Sequence, residues 1–470
     1  MSRKDVIGRR GFIGIGAAFA VAGCQSWKGG FPAITAVRSP NGLLRHACIG
    51  TGNMAWGDIG SFRTHPKIEM AAFCDVDANY LARVRKDFPK ARFYRDWREL
   101  LAQEGDGIDS MNVSIPDHNH TIVSAAAMRA GKHLYLQKPL CKTHAEAALL
   151  RDLAVQNGVV TQMGTQYAAY PADRQTVALL RANALGPVEK VYFFSTRKGK
   201  SRQRRYLPAA MPAPAHLDWD LWLGTAAERP YAPEVYHPLI WRIWRDLGSG
   251  WIGDIGCHLM SAAWKGMALG DTAPLTVVAE TMTDAEDNVK DKVWPTGTHI
   301  TWQFAGVPAS GGQPFSFEWF DGCSEPDNLA PAQYRPPAEI DALFAATPRK
   351  SRPHEGKAIK CRDGWILQPH AQMAAHVVRN DGTAMKPLTL PSAPTHFHEF
   401  VDGCLEGHRT EADFNWATWL METVLAGEIA ERLPGVKLAW NAKTRQFDQA
   451  AANAFLSASY RKGWETPGLA

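Results

Sequence analysis

The chain has 470 residues, 45% hydrophobic and 21% charged, an ordinary globular balance with length enough for two domains with buried cores. Net charge is +5, and residues 1–23 carry most of it, through Arg3, Lys4, Arg9 and Arg10 against Asp5. The remainder is close to neutral, with no basic stripe interleaved with aromatics, which excludes a nucleic-acid partner.

Residues 1–23 read as an export leader and stay outside the fold. Gly8-Arg9-Arg10-Gly11-Phe12-Ile13 has the form of a twin-arginine signal. The apolar run behind it, 12–22, is too short to span a bilayer comfortably, and such signals are addresses rather than anchors. Val21-Ala22-Gly23-Cys24 has the form of a lipobox, so cleavage there would leave a lipid-bearing Cys24; an ordinary cleaved signal with an incidental cysteine fits the same residues. Residues 24–42, rich in Gly, Pro and Ser, read as a tether. The expected destination is the periplasm, by way of the Tat export machinery.

From 43 to 165 the chain alternates strand and helix, the pattern of a doubly wound parallel Rossmann sheet. Strands are expected at 43–49, 68–74, 110–115, 133–136 and 159–163, with helices at 77–88, 120–130 and 143–156. A second α/β domain is expected over 166–440, with a large, mainly antiparallel, open sheet. Its strands at 188–196, 275–282, 299–304 and 315–319 are longer and more aromatic. Residues 324–385 lack clear periodicity and read as surface loops. Helices follow at 396–404 and 415–433, then a C-terminal segment, 441–470. The 17 Trp and 11 Tyr suit the apolar faces of sugar rings, although Trp serves as plain core more often. The 8 cysteines are scattered without metal-ligand spacing. A protein folded in the reducing cytoplasm before export should keep them as buried thiols.

Three motifs carry chemistry. Gly50-Thr51-Gly52-Asn53-Met54-Ala55 is a G-x-G-x-x-A turn between the first strand and a helix. Gly50 permits the tight turn, Gly52 the approach of a pyrophosphate, and Ala55 close helix packing. Asp75 ends the second strand, where a carboxylate takes adenosine ribose hydroxyls; no Arg follows it, which favours NAD over NADP. NAD is a cytoplasmic cofactor, and the twin-arginine route moves folded proteins, so the cofactor would travel already bound. Next, Gln137-Lys138-Pro139 places Lys138 at a strand's C-terminal end, though a surface lysine before a proline bend fits the same spacing. Last, Asp254 and His258 stand i, i+4 on a helix running to about residue 269. The carboxylate could fix the imidazole's tautomer and raise its basicity, so that His258 takes a hydroxyl proton while hydride leaves the same carbon. An ordinary helical ion pair fits that spacing too, and no third metal ligand stands nearby. His118 and His120 form an H-x-H beside the start of a helix.

Together these residues resemble the glucose–fructose oxidoreductase/inositol dehydrogenase (Gfo/Idh/MocA) family over about residues 43–464. The turn and Asp75 match its cofactor end, and Ile115-Pro116-Asp117-His118-Asn119-His120 its loop near the nicotinamide. Gly131-Lys132-His133 through Gln137-Lys138-Pro139 match its G-K-H…E-K-P segment, and Asp254-x-x-x-His258 its catalytic pair. Residues 217–224, with Tyr236-His237-Pro238 and Trp241-Arg242, resemble an exported branch. The resemblance implies NAD contacts from Gly50, Gly52, Asn53, Met54, Asp75, Pro116, His120, Gln137 and Lys138. It implies catalysis by Lys138, Asp254 and His258, and a sugar site with Gln166, Arg174, Trp241 and Arg242. It also implies a homo-oligomer formed through the open face of the second sheet. One departure stands out: Gln137 replaces the usual Glu, which puts the family's proton relay near Lys138 in doubt. The reaction implied is hydride transfer between a tightly held NAD(H) and a sugar or cyclitol carbinol. The alternative is an NAD-dependent glycoside hydrolase that oxidises C3 transiently and eliminates the aglycone. A non-catalytic sugar-binding protein would be expected to lack part of the set.

Overall fold

The parallel sheet forms as β1 (Leu44–Ile49), β2 (Ile68–Cys74), β3 (Arg92–Tyr94), β4 (Ser110–Val113), β5 (His133–Leu136) and β6 (Thr161–Met163), in the order β3-β2-β1-β4-β5-β6. The computed structural model describes residues 34, 36–37, 41–196, 207, 209–283, 285–286, 289–322, 331–386 and 388–469. The leader and Cys24 lie outside the described residues. Helices α1 (Asn53–Phe62), α2 (Ala78–Asp87), α3 (Trp97–Glu104), α4 (His120–Arg129) and α5 (His144–Asn157) connect the strands. Sequence chemistry sets their starts. Asp77 and Asp96 cap α2 and α3 through backbone N–H groups, and Thr143 with Glu146 closes a capping box on α5. β4 and β5 are buried throughout, as strands covered on both faces must be. Strand order reverses between β1 and β4, which opens the ligand crevice at their C-terminal ends. The three-residue β3 is one strand more than the sequence announces.

Among the described residues the second sheet has ten strands. After α6 (Pro171–Arg181) come β7 (Val188–Ser195), α7 (Trp219–Leu223), α8 (Cys257–Gly266), β8 (Thr276–Met282), β9 (Gly297–Phe304) and β10 (Phe315–Gly322). Next are α9 (Ala338–Ala345), β11 (Glu355–Cys361), β12 (Gly364–Pro369), β13 (His376–Arg379) and β14 (Ala384–Met385). The chain ends through α10 (His396–Glu406), α11 (Phe414–Arg432), β15 (Leu438–Asn441), β16 (Gln446–Phe447) and α12 (Ala450–Asn453). The order is β14-β13-β12-β11-β7-β10-β9-β8-β15-β16, antiparallel except for the parallel β7–β10 pair. The expected loops at 324–385 are corrected over their described part, 331–385, which holds one α-helix and four strands. β11 and β12 are packed on both faces, so they lack alternation, and Lys357 and Gln368 break their apolar runs while buried.

That sheet's outer face is not bare. Ile340 and Phe344 of α9 cover Tyr192, Phe194 and Trp365 there. On the inner side, the indole N–H of Trp302 in β9 donates to the Thr423 carbonyl of α11 (2.9 Å), tying helix to sheet. The last residues return to the first domain: Tyr460 donates to Glu146 (2.8 Å), and Trp464 is buried in the main core. Cys48, Cys74, Cys141, Cys257, Cys361 and Cys404 are buried free thiols, as expected.

Candidate active site

At the cofactor end, Gly50 has φ +91°, and a Cβ there would lie 2.3 Å from the Ser114 carbonyl oxygen. A Cβ on Gly52 would lie 2.4 Å from the Tyr80 ring. Neither position admits a side chain, and the unpaired N–H groups of α1's first turn, with Asn53 and the exposed Met54, form the anion-binding end of a helix. Asp75 is braced beside this turn. Its Oδ2 accepts from Thr51 N (2.8 Å) and Thr51 Oγ1 (3.0 Å), and its Oδ1 from Asp77 N (2.9 Å). Burial raises its pKa against the pull of those bonds. A carboxylate offers about four lone-pair sites, so acceptor capacity remains for ribose hydroxyls. The residues present fit a dinucleotide.

A strap made of residues 209–247 crosses the end of β2. Asp218 N donates to Val76 O (3.0 Å), Ala78 N donates to His216 O (2.9 Å), and the His237 ring bonds Asp77 Oδ2 (3.0 Å). The strap has its own core, in which Trp222, Tyr236, Trp241 and Trp244 are buried. Arg461 fastens it from the C-terminal segment by donating to Gly224 O (2.9 Å). Trp241, expected in the sugar site, packs in this core, and its ring backs the Arg242 guanidinium, 4.3 Å away.

The reactive cluster forms where β5 meets the start of α8. Lys138 follows β5, and its Nζ donates to Asp254 Oδ1. Arg242 Nε donates to the same oxygen (3.3 Å). Asp254 lies in a π-helical turn, Ile252–Gly256, that runs into α8, a wide-turn geometry frequent at functional sites. Burial alone would raise Asp254, but Lys138 and Arg242 outweigh it and hold the carboxyl well below the usual range. His258, one turn on, packs against Tyr167 (5.2 Å between centroids) and His370 (5.3 Å). Burial, then Lys138 and His370, hold its pKa well below the ordinary histidine value, with Asp254 pulling weakly upward. The hydrogen bonds of Asp254 go to Lys138 and Arg242, and His258 is a less basic imidazole than its pairing implied, neutral at pH 7.

Two buried polar atoms here have no protein partner, Nδ1 of His258 and Oε1 of Gln166, beside Tyr167. Arg174 is half-buried in the first turns of α6, and no described contact joins it to this cluster. Pro116 opens the turn before α4. His120 contacts Pro139 O (2.7 Å) and Ile115 O (2.8 Å) through its two ring nitrogens, so it braces the Lys138 strand end and keeps no nitrogen for a cofactor. His118 is likewise held, by the Trp222 carbonyl (2.9 Å). Tyr167 and His370 were not legible as site residues, His370 because it follows a strand read as loop. Asp58, on α1, was missed too: Ser114 Oγ (2.7 Å) and Gln137 Nε2 (3.0 and 2.9 Å) donate to it.

Residues 44–165 match the oxidoreductase family's NAD-binding Rossmann fold, and residues 198–305 match its C-terminal α/β domain. The chain belongs to the Gfo/Idh/MocA family. Its cofactor is NAD. This Gfo/Idh/MocA protein is 25% identical over 169 residues to levoglucosan dehydrogenase of Pseudarthrobacter phenanthrenivorans, covering 36% of this chain and 35% of that protein. It is 28% identical over 154 residues to a glycosyl hydrolase family 109 protein of Solibacter usitatus, covering 30% and 34%. The chain thus spans about a third of the length of these two relatives. In fold it resembles aldose-aldose oxidoreductase from Caulobacter crescentus complexed with glycerol, with TM-score 0.59 and 17% identity over 84% of this chain and 99% of that one.

Proposed function

We propose that the protein moves hydride between a retained NAD(H) and a hydroxyl-bearing carbon of a sugar or cyclitol. The observation that carries this reading is the convergence of Lys138, Asp254, Arg242 and His258 where a doubly wound sheet opens its crevice. Gly50, Gly52, Asn53 and Asp75 would hold the cofactor, which when bound accepts or returns the hydride. Lys138 and Arg242, fixed by Asp254, donate hydrogen bonds to the reacting oxygen and orient the ring. His258, kept neutral by burial, takes the hydroxyl proton on a ring nitrogen. Gln166 Oε1 accepts from a second hydroxyl. The names of the matched levoglucosan dehydrogenase and aldose-aldose oxidoreductase support a sugar as substrate.

The reading extends to the twin-arginine signal at Arg9-Arg10, export to the periplasm, and a lipid anchor at Cys24. An exported enzyme cannot replenish NAD, and the strap over β2 supports a cofactor that stays bound through a closed redox cycle. The protein is expected to act as a homo-oligomer. The second reading is a glycosidase that oxidises C3 transiently and restores it; similarity to the glycosyl hydrolase family 109 protein favours it, as does the same retained cofactor. The test is to purify the mature protein without added NAD, assay nicotinamide released on denaturation, then incubate with free aldoses and nitrophenyl glycosides. Product oxidation paired with reduction of a second sugar selects the oxidoreductase, and aglycone release without net NADH selects the glycosidase. Absence of bound nicotinamide would overturn the closed cycle.

A further inference from the structure

We infer that Asp58 is a positioning residue that supplies, from α1, the negative charge behind Lys138 that Gln137 does not. The inference rests on Lys138 being the reactive lysine of the site. Asp58 shares the buried stripe of α1 with Ala55, Ile59 and Phe62, and it is fully enclosed. Its two oxygens take the amide of Gln137 (3.0 and 2.9 Å), and Oδ2 also takes Ser114 Oγ (2.7 Å). Gln137 Oε1 in turn accepts from the backbone N–H of Lys138 (3.3 Å).

The bonds share one direction. Asn112 Nδ2 donates to Ser114 Oγ (3.0 Å), and His46 Nε2 stands 3.1 Å from Asn112 Oδ1 while Nδ1 stands 2.8 Å from Ser110 Oγ. Burial lowers His46 to about 4, so it is neutral; with its proton on Nε2, it donates to Asn112 and accepts from Ser110. Every donor in this chain, from Ser110 to Lys138 N, points toward Asp58 as the terminal acceptor. Ser114 Oγ and Gln137 Nε2 both donate to Asp58, an arrangement that favours the carboxylate. Burial opposes it, raising the group to about 7, against the pull of Ser114, Gln137 and the Lys138 charge.

The groups that face Asp58 are Ser114 and Cys48 from the β4 and β1 side, and Tyr135, Gln137 and Lys138 from β5. Those that face Lys138 are Asp254, Asp58, His258 and Cys257. Lys138 therefore lies between two carboxylates, Asp254 at its ammonium and Asp58 behind its strand end. A nearby negative charge favours the protonated amine.

The test reads Lys138 directly and needs no substrate. Acetic anhydride labelling at fixed pH, quantified by mass spectrometry of the Lys138 peptide, gives that lysine's reactivity profile in the full-length protein. Asp58→Asn should raise the labelling rate of Lys138 several-fold, and Asp58→Asn/Gln137→Glu, which returns the charge one residue from Lys138, should restore it. An Asp58→Asn profile that overlays the parent overturns the inference, as does a shift the double variant fails to reverse. If Asp58→Asn alone cannot fold, a folded double variant with the parental profile supports the same role. Failure of both to fold, or a folded double variant with a displaced profile, assigns Asp58 to the fold and overturns it. These outcomes do not depend on whether NAD is retained or which sugar reacts.

Discussion

His258 combines burial with a depressed pKa, which keeps the imidazole neutral and able to accept a proton at neutral pH. His258→Ala should lower kcat at least about 100-fold, in line with the usual contribution of a positioned acid–base group. Near-parental turnover on whichever sugar proves reactive would remove the imidazole from the mechanism. Asp254 has the opposite character, a carboxylate on which two cations converge while it is largely shielded. Asp254→Asn leaves Lys138 and Arg242 without a counter-ion, which should cost on the order of 3 kcal/mol of stability as well as activity. An unchanged denaturation midpoint would show that the cations are solvated instead. At this scale the sequence was legible where spacing encodes geometry, as in Gly50-x-Gly52 and the i, i+4 pair Asp254 and His258. Lys138, Asp254 and Arg242 do meet. Asp58 was not legible as a partner of Gln137, because the two are joined only by the packing of α1 on β5. Its one local signal was a carboxylate within the apolar stripe of Ala55, Ile59 and Phe62.

Among the elements, the first sheet was the more legible. Its short apolar strands end in glycine, aspartate or proline, and its helices start at capping residues such as Asp77 and Thr143. The second sheet was legible through β10 and then lost, because β11 and β12 are enclosed on both faces and interrupted by the buried Lys357 and Gln368. Lys357 pairs with buried Asp173 (3.4 Å), an arrangement of distant residues that no local pattern reports. The strap is the element whose function is most open to measurement. It ties its two turns to Val76, Asp77 and Ala78, next to the ribose carboxylate Asp75. His237→Ala removes the side-chain bond to Asp77 while leaving that residue's cap on α2 intact. Losing one hydrogen bond to a charged group is worth about 1.5–3 kcal/mol, so NAD dissociation should accelerate roughly tenfold or more if opening of the strap limits it. The rate is measured by following bound nicotinamide during dialysis against NAD-free buffer. Equal rates in parent and variant would assign retention to the turn alone.

For the whole molecule, buried ionisable groups of both signs set the pH dependence of stability. Burial lowers His46 and His133 to about 4 and His118, His144 and His396 to about 3, and holds His258 well below its ordinary value. Each is neutral when folded and takes a proton when unfolded below about pH 6.5, so stability is lost as pH falls from there toward 3–4. Burial acts the other way on acids, raising Glu399 to about 7, Glu431 to about 8, and Glu428 further. These hold protons in the folded state that the unfolded chain has already released, so their cost grows as pH rises from about 4.3 through 7–8. Between the unfolded carboxylate and histidine values the two sets oppose each other, which places the stability maximum at about pH 6–7. Below about pH 5 the histidines dominate, because unfolded carboxylates then begin to bind protons too and the acids' advantage shrinks. The acid limb should therefore be the steeper one, approaching a loss of several kcal/mol per pH unit as several protons are taken up together. Thermal melts at constant ionic strength from pH 4 to 9 measure this directly. A midpoint still rising from pH 7 to 9 would mean that the buried acids ionise freely, and a flat midpoint from pH 6.5 to 4 that the buried histidines reach solvent.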